Sequence, residues 1–93
     1  MIHAFVLIDA EPSRIADLAQ ELADIEGIRE AHSVAGGDTD LLAIAAVRTH
    51  EDVADVVTDK IGRLDGVKST KTLIAFRSYS TQQLDKAYEG FGD

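Results

Sequence analysis

The chain has 93 residues, a length that suits one domain with a modest core, and it contains no cysteine, which excludes disulfides, thiol catalysis and thiolate metal sites. Nine Lys and Arg residues against 17 Asp and Glu give a formal net charge of −8, which disfavours direct binding to nucleic acids or to anionic lipid. No apolar run approaches the roughly 20 residues of a membrane span, and no basic region precedes an apolar segment at the amino terminus. We therefore expect a cytoplasmic protein.

The first half of the sequence predicts a strand, a helix and a second strand. Residues 1–9 are rich in Ile, Phe and Val, with polar residues at their ends, which is typical of a strand. Pro12 suits a first helical turn, and apolar residues then recur at helical spacing as far as Ile25. Gly27 stands where a glycine ends a helix. Residues 28–35 form a second strand pattern with a weaker apolar signal.

The second half repeats this order after a turn at residues 36–40. Residues 41–47 are wholly apolar and predict a third strand. Thr49 is a candidate helix cap, and Asp52 three residues later completes a capping-box pattern with Asp in place of Glu. Apolar residues keep helical spacing from there until an Asp-Gly pair, after which residues 67–78 predict a fourth strand.

The element order β-α-β-β-α-β is the ferredoxin-like split βαβ pattern, an α+β fold with a four-stranded antiparallel sheet and two helices on one face. The segments 25–28 and 64–67 echo one another, which indicates a pseudo-symmetry between the two halves. We assign residues 1–80 to one domain and residues 81–93 to a C-terminal helical tail. Leu84 in that tail begins a short helical pattern with Ala87 and Tyr88, and we hypothesise that the tail docks on a neighbouring subunit.

Both faces of the predicted sheet are apolar. In the first strand Val6 and Ile8 fall on one face, whereas Phe5 and Leu7 fall on the other. The third and fourth strands divide in the same way. A helix-free apolar face is unusual in a soluble monomer, so we expect two sheets to pack face to face in a two-fold dimer, an assembly resembling an α/β barrel.

The turn between the second and third strands is the best candidate for a ligand site. Its residues are Gly36, Gly37, Asp38, Thr39 and Asp40. Glycines allow positive φ and expose N–H groups that can hold a carboxylate, and either aspartate can accept hydrogen bonds from an ammonium group. These features suit a free α-amino acid. The same residues are also ordinary hairpin-turn chemistry, and both interpretations stay open.

No motif for catalysis, metal binding or cofactor binding stands out. His3, His32 and His50 are far apart and lack metal-ligand spacing. The serines lack a nucleophile-elbow context, and no Gly-Lys-Ser/Thr follows the paired glycines as it would in a phosphate-binding loop. We expect neither an enzyme nor a requirement for a cofactor or a metal.

Several segments, taken in order, resemble the effector domain of the Lrp/AsnC feast/famine regulators, also called the RAM (regulation of amino-acid metabolism) domain. The matching stretches are residues 4–8, 25–28, 33–42 and 64–67, with Thr70, Thr72 and residues 74–77 in the last strand. The resemblance implies dimers that often assemble into rings such as octamers. It also implies an amino acid or similar metabolite bound near the turn, at an interface between dimers, with the hydroxyls of Thr70 and Thr72 close to it.

Two departures from the family pattern bear on function. The family's full regulators carry an amino-terminal helix-turn-helix, whereas Met1 here opens directly on the first strand. We therefore expect no direct DNA binding and a role through partner regulators of the Lrp/AsnC type, or as a metabolite sensor for another partner. The turn also has two glycines where the common form has one, so that either Gly36 or Gly37 matches the family glycine.

Two other functions are compatible with this element order. A small dimeric enzyme of the antibiotic-monooxygenase type needs a roomy apolar pocket with aromatic residues, and a chain with three Phe, two Tyr and no Trp argues against it. An ACT-like amino-acid sensor would have the same elements but would pair its chains differently.

Overall fold

The computed structural model describes residues 1–79 and confirms the predicted α+β order. The elements are β1 (Ile2–Ala10), a 3-10 turn (Pro12–Arg14), α1 (Ile15–Ala23), β2 (Ile28–Ser33), β3 (Leu41–Val47), α2 (His50–Ala54) with a π-helical continuation (Asp55–Ile61), and β4 (Val67–Ile74). The four strands form one sheet in the order β2-β3-β1-β4, and every neighbouring pair is antiparallel. The predicted tail helix lies outside the described residues.

The core lies between the sheet and the two helices. Every second residue of β1, from Ala4 to Ala10, is buried on the helix side. Leu18 and Leu22 of α1 and Ile61 of the second helix are fully buried against it. No polar side chain in residues 1–79 is buried, so the core is held together by apolar packing.

The second helix begins as the sequence predicts. The Thr49 hydroxyl accepts from the Asp52 N–H at 3.0 Å, and the Asp52 carboxylate accepts from the Thr49 N–H at 3.2 Å, which is a reciprocal capping box. The helix then widens into π geometry instead of continuing as α-helix. The N–H of Gly62 bonds to the carbonyl of Val57, five residues back, at 2.8 Å.

Two strands end earlier than their sequence patterns suggest. β4 pairs with β1 up to Ile74, which lies opposite Ala4 near the start of β1, so β4 does not extend to residue 78. β2 stops at Ser33, which pairs with Leu41, the first residue of β3. No helix in residues 1–79 is long and apolar enough to cross a membrane.

The sheet face away from the helices is apolar at its centre, as the alternation predicts. We call it the open face, and define it by Phe5, Leu7, Leu42, Ile44 and Leu73. The first four side chains are half-buried in the isolated chain, and Leu73 is 52% exposed. The open face therefore offers a continuous apolar surface across β3, β1 and β4.

Candidate functional site

The turn between β2 and β3 is anchored at its base to two strands. The Val34 N–H donates to the Asp40 carbonyl at 3.0 Å, and the Asp40 N–H donates to the carbonyl of Ile8 in β1 at 2.9 Å. Above this base, Gly36 and Gly37 have φ of 123° and 61°. Residues with a side chain rarely adopt such positive angles, so the glycines give the turn its path.

Asp40 also uses its side chain to hold the turn against the sheet. Its Oδ2 accepts a hydrogen bond from the Ala10 N–H at 2.8 Å. Ala10 is only 2% exposed and follows a register shift in the pairing of β1 with β4. Asp40 therefore satisfies a backbone donor that lies where β1 extends beyond β3.

We expect Asp40→Ala to lower the free energy of unfolding by about 1–3 kcal/mol, because the Ala10 N–H loses its acceptor where little water reaches it. Asp38→Ala is the matched control, since Asp38 is exposed and has no hydrogen bond or ion pair within residues 1–79. Urea unfolding of the two variants measures the difference. Equal losses would show that Asp40 has no anchoring role.

The turn forms one wall of a cleft of about 560 Å³. The lining residues are Leu7, Asp9, Gly37, Asp38, Thr39, Asp40, Ser69, Thr70 and Lys71. The structure thus brings five of the sequence-predicted site residues together, four from the turn and Thr70 from β4. Gly36 and Thr72, the other two, are not in the lining.

The position of Thr72 follows from the alternation of β4. It pairs with Val6, whose side chain is fully buried on the helix side, and Thr72 itself is half-buried there. Lys71, one residue earlier, pairs with Leu7 and points to the open face. Of the two threonines, only Thr70 borders the cleft.

Sequence reasoning missed the cleft residues contributed by β1 and β4. Asp9 pairs with Ser69, and Leu7 with Lys71, so these four side chains lie side by side on the same face. The register of β4 on β1 identifies these residues, because it places Ser69 and Lys71 on the face opposite Thr70.

The charges of the cleft match the two ends of a free amino acid. Asp9, Asp38 and Asp40 supply carboxylates, and Lys71 supplies the cation of the lining. One Asp40 oxygen is already bonded to the Ala10 N–H, so Asp38 and Asp9 are better placed to accept from an ammonium group. No group of three His, Cys, Asp or Glu side chains in residues 1–79 is arranged to hold a metal ion.

The fold and the cleft together define a small α+β domain of the ferredoxin-like class with a polar cleft at one end of its sheet. Residues 3–84 match the Lrp/AsnC ligand binding domain, so the chain belongs to this family. The family is one of ligand-binding domains of transcription regulators and is not enzymatic, which removes the monooxygenase alternative.

The transcriptional regulator LrpA of Pyrococcus horikoshii is 35% identical over 60 residues, which are 64% of this chain and 42% of LrpA. The chain thus spans less than half the length of that relative. The crystal structure of TTHA0845 from Thermus thermophilus is 41% identical and superposes with a TM-score of 0.82, covering 87% of this chain and 100% of that one.

A third comparison supports the fold alone. The feast or famine regulatory protein of M. tuberculosis, solved in complex with L-methionine, is 24% identical with a TM-score of 0.72. The match covers 89% of this chain and 55% of that protein.

Proposed function

We propose that this domain binds a free amino acid in the cleft between the turn and β4. It self-associates through its open face. It modulates transcription through partner regulators of the Lrp/AsnC type rather than by binding DNA itself. The observation that carries the ligand proposal is the position of Lys71, which lies across the cleft from the turn that carries Asp38 and Asp40.

In this proposal the two charged ends of the ligand bind to different walls. The Lys71 ammonium, with the Ser69 hydroxyl on the same face of the sheet, holds the α-carboxylate. Asp38, with Asp9, accepts hydrogen bonds from the α-ammonium group. An amino acid is the ligand class that we propose, and L-methionine, which is bound in the M. tuberculosis protein of the same fold, is the first one to test.

The open face supports the self-association. Leu42 and Ile44 from β3 lie beside Phe5 and Leu7 from β1, and neither helix of residues 1–79 covers them. An apolar surface of this kind is stabilised when a second copy packs on it, and a self-complementary contact gives a closed two-fold dimer. Assembly of such dimers into an octamer is the further step that the family resemblance implies.

Relatives such as LrpA match this domain over 60 residues, and mixed assembly with such chains is the route that we propose. The net charge of −8 agrees with a role through such partners, because an acidic domain gains little from approaching DNA phosphates. The proposed role is therefore a cytoplasmic one, exerted on the assembly of regulators.

Thermal unfolding in the presence of each proteinogenic amino acid tests the ligand proposal. A ligand that binds only the folded chain adds roughly 2.7 kcal/mol of stability at 100 times its Kd. We expect one or a few amino acids to raise Tm, and Lys71→Ala to abolish the shift because the α-carboxylate loses its counter-charge.

Lys68→Ala is the matched control for Lys71→Ala. It removes the same charge from the same exposed strand, but Lys68 is not in the cleft lining and its ammonium lies 3.8 Å from Glu11. If both variants lose the ligand-induced rise in Tm equally, then the effect of Lys71→Ala comes from the change in net charge and not from a contact in the cleft. No shift with any amino acid would refute amino-acid binding by this cleft.

A further inference from the structure

The open face has a different rim on each of its two sides. Strand register places one side chain from every strand in each of two rows across this face. Read from β2 to β4, the rows are His32, Leu42, Leu7 and Lys71, and Glu30, Ile44, Phe5 and Leu73. The apolar centre therefore has Glu30 and His32 along its β2 rim, and Lys71 along its β4 rim.

The charged groups of both rims keep bonding capacity that the single chain does not use. Lys71 is exposed and has no ion pair within residues 1–79. The Glu30 Oε1 lies 2.9 Å from the His32 Nε2, and the Glu30 carboxylate has no other hydrogen bond or ion pair within the same residues. Since a carboxylate accepts at both oxygens, Glu30 can take a second donor that carries a full positive charge.

Two-fold symmetry limits how the two rims can meet. Two sheets that pack face to face have their two-fold axis in the plane between them. An axis along the strands carries β4 of each copy over β2 of the other, and Lys71 then faces the rim that carries Glu30. An axis across the strands carries β4 over β4, a strand with no carboxylate of its own, and leaves both lysines without a counter-charge.

We infer that the two copies pack with their two-fold axis along the strands, so that Lys71 of each copy pairs with the partner's Glu30. This inference rests on the proposed self-association through the open face. Packed sheets lie about 10 Å apart, a gap that a lysine and a glutamate side chain extending from opposite sheets can bridge. The pair occurs twice in the interface, and charge complementarity of this kind selects one orientation over others.

This orientation places the amino-acid cleft at the edge of the dimer interface. Leu7, Asp9, Ser69 and Lys71 of the cleft lining all point to the open face. An ammonium group has three donors, so Lys71 can hold a ligand carboxylate and the partner's Glu30 together. In the dimer, the partner's β2 therefore borders the cleft beside Lys71.

Charge reversal on each rim tests the orientation. Lys71→Glu and Glu30→Lys each turn two attractive contacts into two repulsive ones, and we expect each to raise the dimer Kd by about 10-fold in sedimentation. An equal mixture of the two variants restores unlike charges in both contacts. It should form heterodimers in clear excess over a random mixture, as counted by native mass spectrometry with one variant isotopically labelled. The chain with both reversals should regain the parent Kd.

Lys60→Glu is the control for the change in net charge. Lys60 is exposed on the second helix, on the other side of the sheet from the open face, so the dimer Kd should stay at the parent value. A dimeric parent whose two reversal variants mix at random would overturn the orientation but leave the self-association intact. An equal weakening by Lys60→Glu and Lys71→Glu would also overturn it. A parent with the mass of a single chain would refute self-association itself, and this inference with it.

Discussion

The substitution Ile44→Asp is expected to convert the assembly into single chains. Ile44 lies in β3 directly opposite Phe5 of β1 and Glu30 of β2, near the middle of the open face. Two-fold packing would bury it twice, once in each copy. Because Ile44 is already half-buried in the single chain, the interface supplies about half of the energy of its full burial in each copy. Losing both side chains therefore removes about 1.5–3 kcal/mol of apolar stabilisation, which corresponds to a Kd higher by about 10- to 100-fold. The two carboxylates add a desolvation cost to this loss.

Sedimentation over a range of concentrations measures the effect. The matched control is Ala54→Asp, which makes the same type of change at an exposed position of α2, away from the open face. We expect this control to keep the mass of the parent protein, and circular dichroism to show that both variants are folded. If Ile44→Asp also keeps the parent mass, then the open face is not the interface and the self-association proposal is wrong.

The fold could be predicted from the sequence because its signals are local. Alternating apolar residues in β1 and β3 specify which side chains face the helices, and the cap formed by Thr49 and Asp52 marks where the second helix begins. These signals depend only on neighbours in the chain. The structure confirms them, including the apolar character of both sheet faces.

The candidate site was predictable only in the part that is local. The turn can be recognised from its glycine and aspartate residues, whereas the opposite wall of the cleft depends on how β4 pairs with β1. Thr70 lies opposite Ile8, and the cleft side chain Lys71 lies opposite Leu7. Residues 68–72 are all polar, so their pattern does not show which face of β4 meets the turn. Only the pairing of two strands about 60 residues apart settles this.

The π-helical segment is a second feature that the sequence pattern does not specify. Apolar spacing predicts a continuous α-helix, but the run Val56, Val57 and Thr58 places three β-branched side chains in succession. Branching at Cβ crowds the preceding turn and weakens α-helical geometry, so the widened turn relieves it. Val56 and Ile61 remain buried, because the wider turn still directs both side chains to the core.

Gly66→Ala is expected to be one of the most destabilising single changes in the chain. Gly66 has φ of 99°, where an L side chain costs of the order of 1–3 kcal/mol. An added Cβ would also lie 2.8 Å from the Arg14 Cβ and 2.9 Å from its Cγ. Overpacking of this kind typically costs about 1–3 kcal/mol more. The N–H of Glu11 donates to the Gly66 carbonyl at 2.7 Å, which keeps the turn close to the start of α1.

Arg14 has little freedom to move away from such a Cβ. Its guanidinium donates to Glu21 at 2.8 Å, to Asp17 at 3.2 Å and to the Asp65 carbonyl at 3.1 Å. The hydrogen bond with Glu21 is the largest influence that raises the pKa of Arg14, so the group stays charged at any working pH. The contact at Cβ cannot be relieved by a rotamer change, because Cβ is fixed to the backbone.

The pseudo-symmetry of the fold supplies a matched control in Gly27→Ala. Gly27 ends α1 as Gly66 ends the second helix, and it has the same φ of 99°. Its carbonyl accepts from the Ala46 N–H at 2.9 Å, much as that of Gly66 accepts from Glu11. A Cβ at Gly27 would meet two valine methyl groups at 3.3 Å, contacts that small shifts can accommodate.

Both variants therefore carry the same backbone strain, and only Gly66→Ala adds a collision with a fixed atom. We expect both to lose stability in urea unfolding, and Gly66→Ala to lose about 1–3 kcal/mol more than Gly27→Ala. Equal losses would mean that backbone strain alone sets the requirement for glycine at the two turns. If Gly27→Ala loses more stability than Gly66→Ala, then the packing of Val47 and Val56 around Gly27 tolerates an added Cβ less well than the packing of Arg14 against Gly66.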